Sequence, residues 1–184
     1  MRKLPDIKIL DEKDPCLHKV SDPVTFPLDK ETKQKIKDAL DYLEMSQIEE
    51  YAEKYDLRAG MGLSFCQIGI MKRIFVVSED NEDGTFGRYV MINPKIISHS
   101  EELIYVGEGE GCLSINRETC GIVPRYARAT FTAYDENGEE FTIRVREEIA
   151  VAFQHELDHL NGILFTDKID PKNPFKNKDK MREI

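Results

Sequence analysis

Apolar positions recur at helical spacing from residue 29 to about residue 43. Ile36, Ala39, Leu40 and Leu43 fall on one stripe, and Asp29 stands where an N-cap belongs. Ser46 and Glu49 have capping-box spacing, which predicts a second helical piece running to about Tyr55. The charged residues of both segments read as a solvated face. Beyond Arg58 the pattern changes. Gly60, Gly62 and Gly69 punctuate an apolar stretch, which predicts extended backbone with little side-chain cover. Ile74-Phe75-Val76-Val77 is a run suited to a buried strand within residues 73–78. Residues 80–87 are polar, contain Asp83-Gly84 and read as a loop. Residues 88–97 read as another strand, interrupted by Asn93-Pro94. Proline lacks a ladder donor, so this strand is expected at a sheet edge or with a bulge. Residues 129–134 and 140–145 flank Asn137-Gly138, a hairpin signal. Residues 147–161 then read as a helix, with Gly162 suited to a left-handed stop. From about residue 168 the chain is polar and rich in lysine, either a solvated end or a late added element.

This order of helices, strands and one apolar helix predicts an α+β fold. Antiparallel or mixed sheets are expected to wrap a central helix, with another helix near the N-terminus. The 184 residues suit one domain spanning 1–184. With 40% hydrophobic and 33% charged residues, the composition is that of a globular chain rather than a disordered one. The longest clean apolar run, Ile149-Ala150-Val151-Ala152-Phe153, is far short of the ~20 residues a membrane helix needs. Met1-Arg2-Lys3-Leu4-Pro5-Asp6 lacks the apolar core of a secretory signal, so a cytoplasmic protein is expected. A net charge of −9 argues against broad nucleic-acid binding.

Cys16, Cys66, Cys112 and Cys120 include no CxxC pair, and they are expected as free thiols. Cys16 and Cys120 read as small buried hydrophobes. Cys112 differs, because it lies in the glycine-flanked run Glu108-Gly109-Glu110-Gly111-Cys112-Leu113-Ser114, where backbone can approach another group closely. The sharpest chemical signal is His155-Glu156-Leu157-Asp158-His159. Residues four apart share a helix face, so both imidazoles can reach one cation, with Glu156 beside them to serve a water. An apolar helix rarely carries such groups unless they are paired or ligated. A catalytic site needs a third protein ligand. No histidine follows His159, and Cys112 is the best third donor. Sulfur with two imidazoles suits Fe(II), Zn(II), Co(II) or Ni(II), and the donors alone do not choose among them. Asp158 reads either as a surface acid or as a group that fixes a ligand histidine or nearby backbone.

Residues 44–57, Asn93-Pro94-Lys95-Ile96 and Val123-Pro124-Arg125-Tyr126 look like the longer class of the peptide deformylase family, found in Gram-positive bacteria and their wall-less relatives, and three further segments together resemble the family itself. They are Gly60-Met61-Gly62-Leu63-Ser64-Phe65-Cys66-Gln67, Glu110-Gly111-Cys112-Leu113-Ser114 and Gln154-His155-Glu156-Leu157-Asp158-His159-Leu160. The first departs from the family pattern, since Ser64-Phe65 stands where two alanines are usual. Phe65 then requires a pocket enlarged elsewhere.

The resemblance implies removal of the formyl group from N-terminal formyl-methionine of nascent bacterial proteins, releasing formate. It implies one divalent ion, Fe(II) in the cell, on Cys112, His155 and His159. Glu156 would be the general base, with the Gln67 amide and Leu113 N–H as donors to the formyl oxygen. Met61, Gly62 and Gly111 would pair with the substrate backbone. Val151 and Ala152 are candidates for the methionine pocket, and equally for ordinary core. Glu110 and Arg125 are expected to pair and steady the cysteine segment. A monomer is expected, with at most a transient ribosome contact through the lysine-rich tail. Two other readings stay open: a zinc endopeptidase, which needs a third ligand after the helix, and a non-catalytic metal-binding protein.

Overall fold

The apolar stripe that starts at Asp29 forms helix α1, Lys30–Gln47, in the computed structural model of this chain, which describes residues 2–81 and 83–184. The Asp29 carboxylate accepts the Thr32 N–H at 2.7 Å and caps the helix. α1 runs a turn beyond the predicted end because Met45 is buried and Ser46 is no cap. The Ser46 hydroxyl donates to the Leu43 carbonyl at 2.7 Å and lies 3.1 Å from the Gly60 N–H, which donates to it. Helix α2, Glu49–Tyr55, therefore has Ile48 at its N-cap position with no side-chain cap, and the expected capping box is absent. Nor is the charged face of α1 wholly solvated. Glu44 is buried and accepts from Arg2 and Arg88, each at 2.6 Å.

The strands are β1 (Gly62–Ser64), β2 (Ile74–Asp80), β3 (Phe86–His99), β4 (Leu103–Tyr105), β5 (Arg125–Tyr126), β6 (Arg128–Tyr134), β7 (Glu140–Arg146) and β8 (Arg182–Glu183). Five form an antiparallel sheet in the order β1-β2-β3-β6-β7; three form a mixed sheet in the order β5-β4-β8. Helix α3, Glu147–Leu160, lies between them and packs on β1, β2 and β7 of the first and β5 of the second. The expected α+β arrangement around a central helix is therefore present.

β2 shows why its run is continuously apolar. Alternate side chains point to opposite faces. Ile74 and Val76 join Ile36, Leu40 and Leu43 of α1, whereas Phe75 and Val77 join Phe131 of β6 and Phe153 of α3. The Phe153 ring meets the rings of Phe75 and Phe131 edge-on, at 5.3 Å in each case.

β3 lies inside the sheet, not at its edge, so the bulge is the correct half of that expectation. The register shifts between Ile92 and Lys95, and Asn93 has φ +51°. Pro94 falls within this shift, where a missing N–H breaks no regular ladder bond. The Asn93 amide also stands in for a strand partner: it accepts from the Val24 N–H at 2.8 Å and donates to the Val24 carbonyl at 2.9 Å.

Of the glycine-punctuated stretch, only Gly62–Ser64 is strand. Phe65–Ile68 then makes a 3-10 turn that ends at Gly69, φ +79°. Leu63, Ser64, Phe65 and Cys66 are all fully buried. Phe65 finds room in the cluster beneath α1, with Leu63 and Ile74. Cys120 is exposed and Cys16 half-exposed, contrary to expectation, because Leu17 in one segment and Ile122 and Val123 in the other take the buried places. The C-terminal tail supplies an added element, β8, parallel to β4 and held by Arg182 to Glu147 at 2.8 and 2.9 Å. Among the described residues no helix is long and apolar enough to cross a membrane.

Candidate active site and metal centre

α3 carries acidic residues, Glu147 and Glu148, in its first turn, where the helix dipole favours them. Gln154 ties the helix to β5, accepting from the Tyr126 N–H at 2.9 Å and donating to the Tyr126 carbonyl at 3.0 Å. One turn of the same helix separates His155 from His159, whose ring centroids lie 5.0 Å apart. Cys112 reaches them from the loop between β4 and β5. Its Sγ is 3.4 Å from His159 Nε2, and the donor atoms of Cys112, His155 and His159 all lie within 4.8 Å of one another. Arg58 fixes this loop from below by donating to the carbonyls of Cys112 and Ile115.

The donor chemistry fits a divalent ion. His155 Nδ1 is engaged by Glu110 Oε2 at 2.8 Å, which leaves the other ring nitrogen for a ligand role. Sulfur and two imidazoles supply the three protein ligands of a catalytic centre. The third donor precedes the helix, and among the described residues no donor from after it joins the cluster. That removes the ligand a zinc endopeptidase would require.

Electrostatics around the cluster are steep. Burial alone would raise Glu110, but hydrogen bonds from His155 and Arg125 outweigh it and hold the carboxyl at about 2. Burial alone would lower His155; its hydrogen bonds with Cys112 and Glu110 instead lift it to about 10 in the metal-free chain. Burial, and then the neighbouring His155, push His159 well below the usual imidazole range. Glu156 is buried, and desolvation pushes its carboxyl upward.

The expected Glu110–Arg125 pair is bidentate, at 2.7 and 2.9 Å. Arg125 also reaches Asp158 Oδ2 at 2.6 Å, and Lys168 meets the same oxygen at 2.8 Å. Asp158 thus holds no histidine directly. It steadies Arg125, and Glu110 is the acid that touches a ligand ring.

A cleft of ≈ 360 Å³ opens beside these groups. It brings together Met61, Gly62 and Gln67 from around β1, Gly111, Cys112 and Leu113 from the loop, and Val151, Ala152, His155 and Glu156 from α3. Gln67 is buried and held at both ends. Its Oε1 accepts the Ser64 N–H at 2.9 Å, and its Nε2 faces Ser114 Oγ at 3.1 Å and Cys112 Sγ at 3.6 Å. Val151 is also core, packed with Ile104 and Ala127. The family model for polypeptide deformylase matches residues 7–175.

The chain belongs to the polypeptide deformylase family.

Deformylases are metal-dependent hydrolases that remove the N-terminal formyl group from nascent peptides. The chain is 47% identical over 171 residues to peptide deformylase 2 of Geobacillus stearothermophilus, covering 93% of each chain. It is 46% identical over 176 residues to peptide deformylase 2 of Bacillus anthracis, covering 96% of each. Among solved structures it is similar to the peptide deformylase of Thermotoga maritima, with TM-score 0.72 and 32% identity over 90% of this chain and 98% of that one. It is also similar to the Synechococcus elongatus peptide deformylase crystallised with actinonin, with TM-score 0.75 and 28% identity over 100% of this chain and 95% of that one.

Within this deformylase, three features of the site escape sequence reasoning. Arg58 grips the ligand loop, Ile184 joins the cleft wall through β8, and the Ser64 hydroxyl lies 2.7 Å from Glu156 Oε2. Only Ser64 had a signal in the sequence, as a departure from the family pattern.

Proposed function

We propose that this deformylase acts on the N-terminal formyl-methionine of nascent proteins, with Cys112, His155 and His159 holding one divalent ion and Glu156 serving as general base. The observation that carries the reading is the convergence of one sulfur and two imidazoles within 4.8 Å, next to a buried carboxylate. When bound, the ion supplies the Lewis acidity that activates a water and polarises the formyl oxygen.

The chain's own groups do the rest. Glu156 takes the proton of the attacking water. Its desolvated site raises its proton affinity, which suits it to hold that proton and pass it to the leaving nitrogen. The Gln67 amide and the Leu113 N–H donate to the formyl oxygen as negative charge develops there. Fixing of the Gln67 oxygen by the Ser64 N–H means little reorganisation is needed. Glu110 orients His155, and Arg125 with Asp158 keeps Glu110 in place.

Substrate backbone pairs with Met61 and Gly62 along β1, an edge strand of its sheet, while Gly111 borders the cleft on the loop side. Backbone pairing leaves later side chains unread, as a general processing enzyme needs. Val151 and Ala152 form the apolar wall for methionine. Fe(II) is the ion we assign in the cell, with Zn(II), Ni(II) or Co(II) accepted by the same donors. We assign the enzyme to the cytoplasm as a monomer. The tail lysines Lys168, Lys176 and Lys178 are each paired within the chain, which favours a structural role for the tail over contact with ribosomal RNA.

The test is formate release from a formyl-Met-Ala peptide by anaerobically prepared protein, wild type beside Glu156→Ala. Turnover should collapse in the variant while its metal content stays the same. Equal turnover in both, or no formate from the metal-loaded wild type, would overturn the reading.

A further inference from the structure

Ser64 is fully buried where β1 passes into its 3-10 turn. Its hydroxyl lies 2.7 Å from Glu156 Oε2 and 2.9 Å from the Glu156 backbone carbonyl, across 92 residues of chain. A hydroxyl has one proton to give, and the carboxylate is the stronger acceptor of the two. Among the described residues Ser64 supplies the hydrogen bond that this carboxylate receives. The other carboxylate oxygen, Oε1, lies against Gly62 so closely that a Cβ there would stand 2.5 Å from it. The same residue holds the second polar group of the cleft, because the Ser64 N–H donates to Gln67 Oε1 at 2.9 Å.

We propose that Ser64 is a positioning residue for the reaction: its hydroxyl holds the Glu156 carboxylate against Gly62 of the same strand, β1, while its N–H fixes Gln67, so one residue sets both groups relative to each other. The inference rests on the assignment of Glu156 as base. A glutamate side chain with several free torsions would otherwise sample orientations in the cleft, and misplacing a base by about 1 Å can cost roughly 100-fold in rate. The hydroxyl's contact with the Glu156 carbonyl is a tie between strand and helix that a purely structural serine would also make, so the test must separate the two.

Ser64→Ala removes the hydroxyl. Ser64→Thr and Ser64→Val form a matched pair of equal shape that differ in it. The proposal expects kcat for a formyl-Met peptide to fall about tenfold in the Ala and Val variants, with KM unchanged, and Thr to retain kcat relative to Val. Crystals of metal-free Ser64→Ala give a readout independent of turnover: the Glu156 carboxylate should leave its place beside Gly62 or split between conformers. A Ser64→Ala protein with wild-type kcat and an unmoved carboxylate would overturn the proposal. If wild-type protein releases no formate, the deformylase reading fails instead, and the crystallographic arm still decides whether Ser64 positions Glu156.

Discussion

Arg125 and Glu110 face each other as a fork on a fork, with Nε to Oε1 at 2.7 Å and Nη2 to Oε2 at 2.9 Å, and both side chains are almost wholly buried. The pair carries the support of the metal centre, since the same Glu110 carboxylate holds His155. Removing one partner of a buried pair strands a charge, which costs about 3–5 kcal/mol. Arg125→Ala should therefore lose stability on that scale in denaturant unfolding of the metal-free protein. Arg125→Lys should recover little of it, because an ammonium cannot match the planar fork. A loss within experimental error for Arg125→Ala would contradict this assignment.

The acid limb of stability follows from the same carboxylate. Glu110 sits at about 2 in the folded chain against 4.5 for an unperturbed glutamate. A depressed carboxyl contributes stability that is complete above its unfolded pKa and is lost as pH falls through the folded one. The metal-free protein should thus weaken between about pH 4.5 and about pH 2, with a shallower slope over that window in Glu110→Gln. Chemical denaturation across the window measures both slopes.

Metal loading should release protons. Against its burial, hydrogen bonds with Cys112 and Glu110 push His155 upward in the metal-free chain, and both this imidazole and the Cys112 thiol must give up their protons to act as ligands. Titration calorimetry with Zn(II) in buffers of different ionisation enthalpy should give at least one proton released per ion, and affinity should fall as pH is lowered. A buffer-independent heat would contradict the assignment of Cys112 and His155 as ligands.

Two glycines on the cleft lining should respond in opposite ways. A Cβ at Gly62 would meet Glu156 Oε1 at 2.5 Å, whereas nothing stands within 4 Å of one at Gly111. Gly62→Ala should lower kcat by roughly 100-fold by displacing the carboxylate proposed as base, with metal retained. Gly111→Ala should fold and bind metal normally and raise KM, because the added methyl narrows the path proposed for the substrate backbone. Steady-state kinetics beside metal analysis separates the two effects.

What the sequence revealed, and what it hid, follows the range of the interactions. The two histidines and Glu156 share one helix, so helical spacing alone brings them together. Cys112 was legible because its flanking glycines marked an unusual backbone. The Glu110–Arg125 pair was expected, but the link from Glu110 to His155 was not; it depends on how the loop lies against α3. Ser46 shows the opposite failure. Its spacing to Glu49 suits a cap, yet burial against Gly60 gave its hydroxyl other partners and α1 continued. Pro94 argued for an edge or a bulge, and only tertiary pairing on both sides of β3 selected the bulge. The Ser64 hydroxyl and Arg58 act across long stretches of chain, and no local pattern encodes such contacts.

The chemistry proposed for this chain depends on a coordination sphere of one thiolate and two imidazoles, from Cys112, His155 and His159. A crystal structure of anaerobically metal-loaded protein, with anomalous scattering to locate the ion, tests it directly. If zinc is loaded, a single ion is expected with Cys112 Sγ at about 2.3 Å and nitrogens of His155 and His159 at about 2.0–2.1 Å. An ion bound elsewhere, or bound to the two histidines with the Cys112 sulfur outside bonding distance, would contradict it.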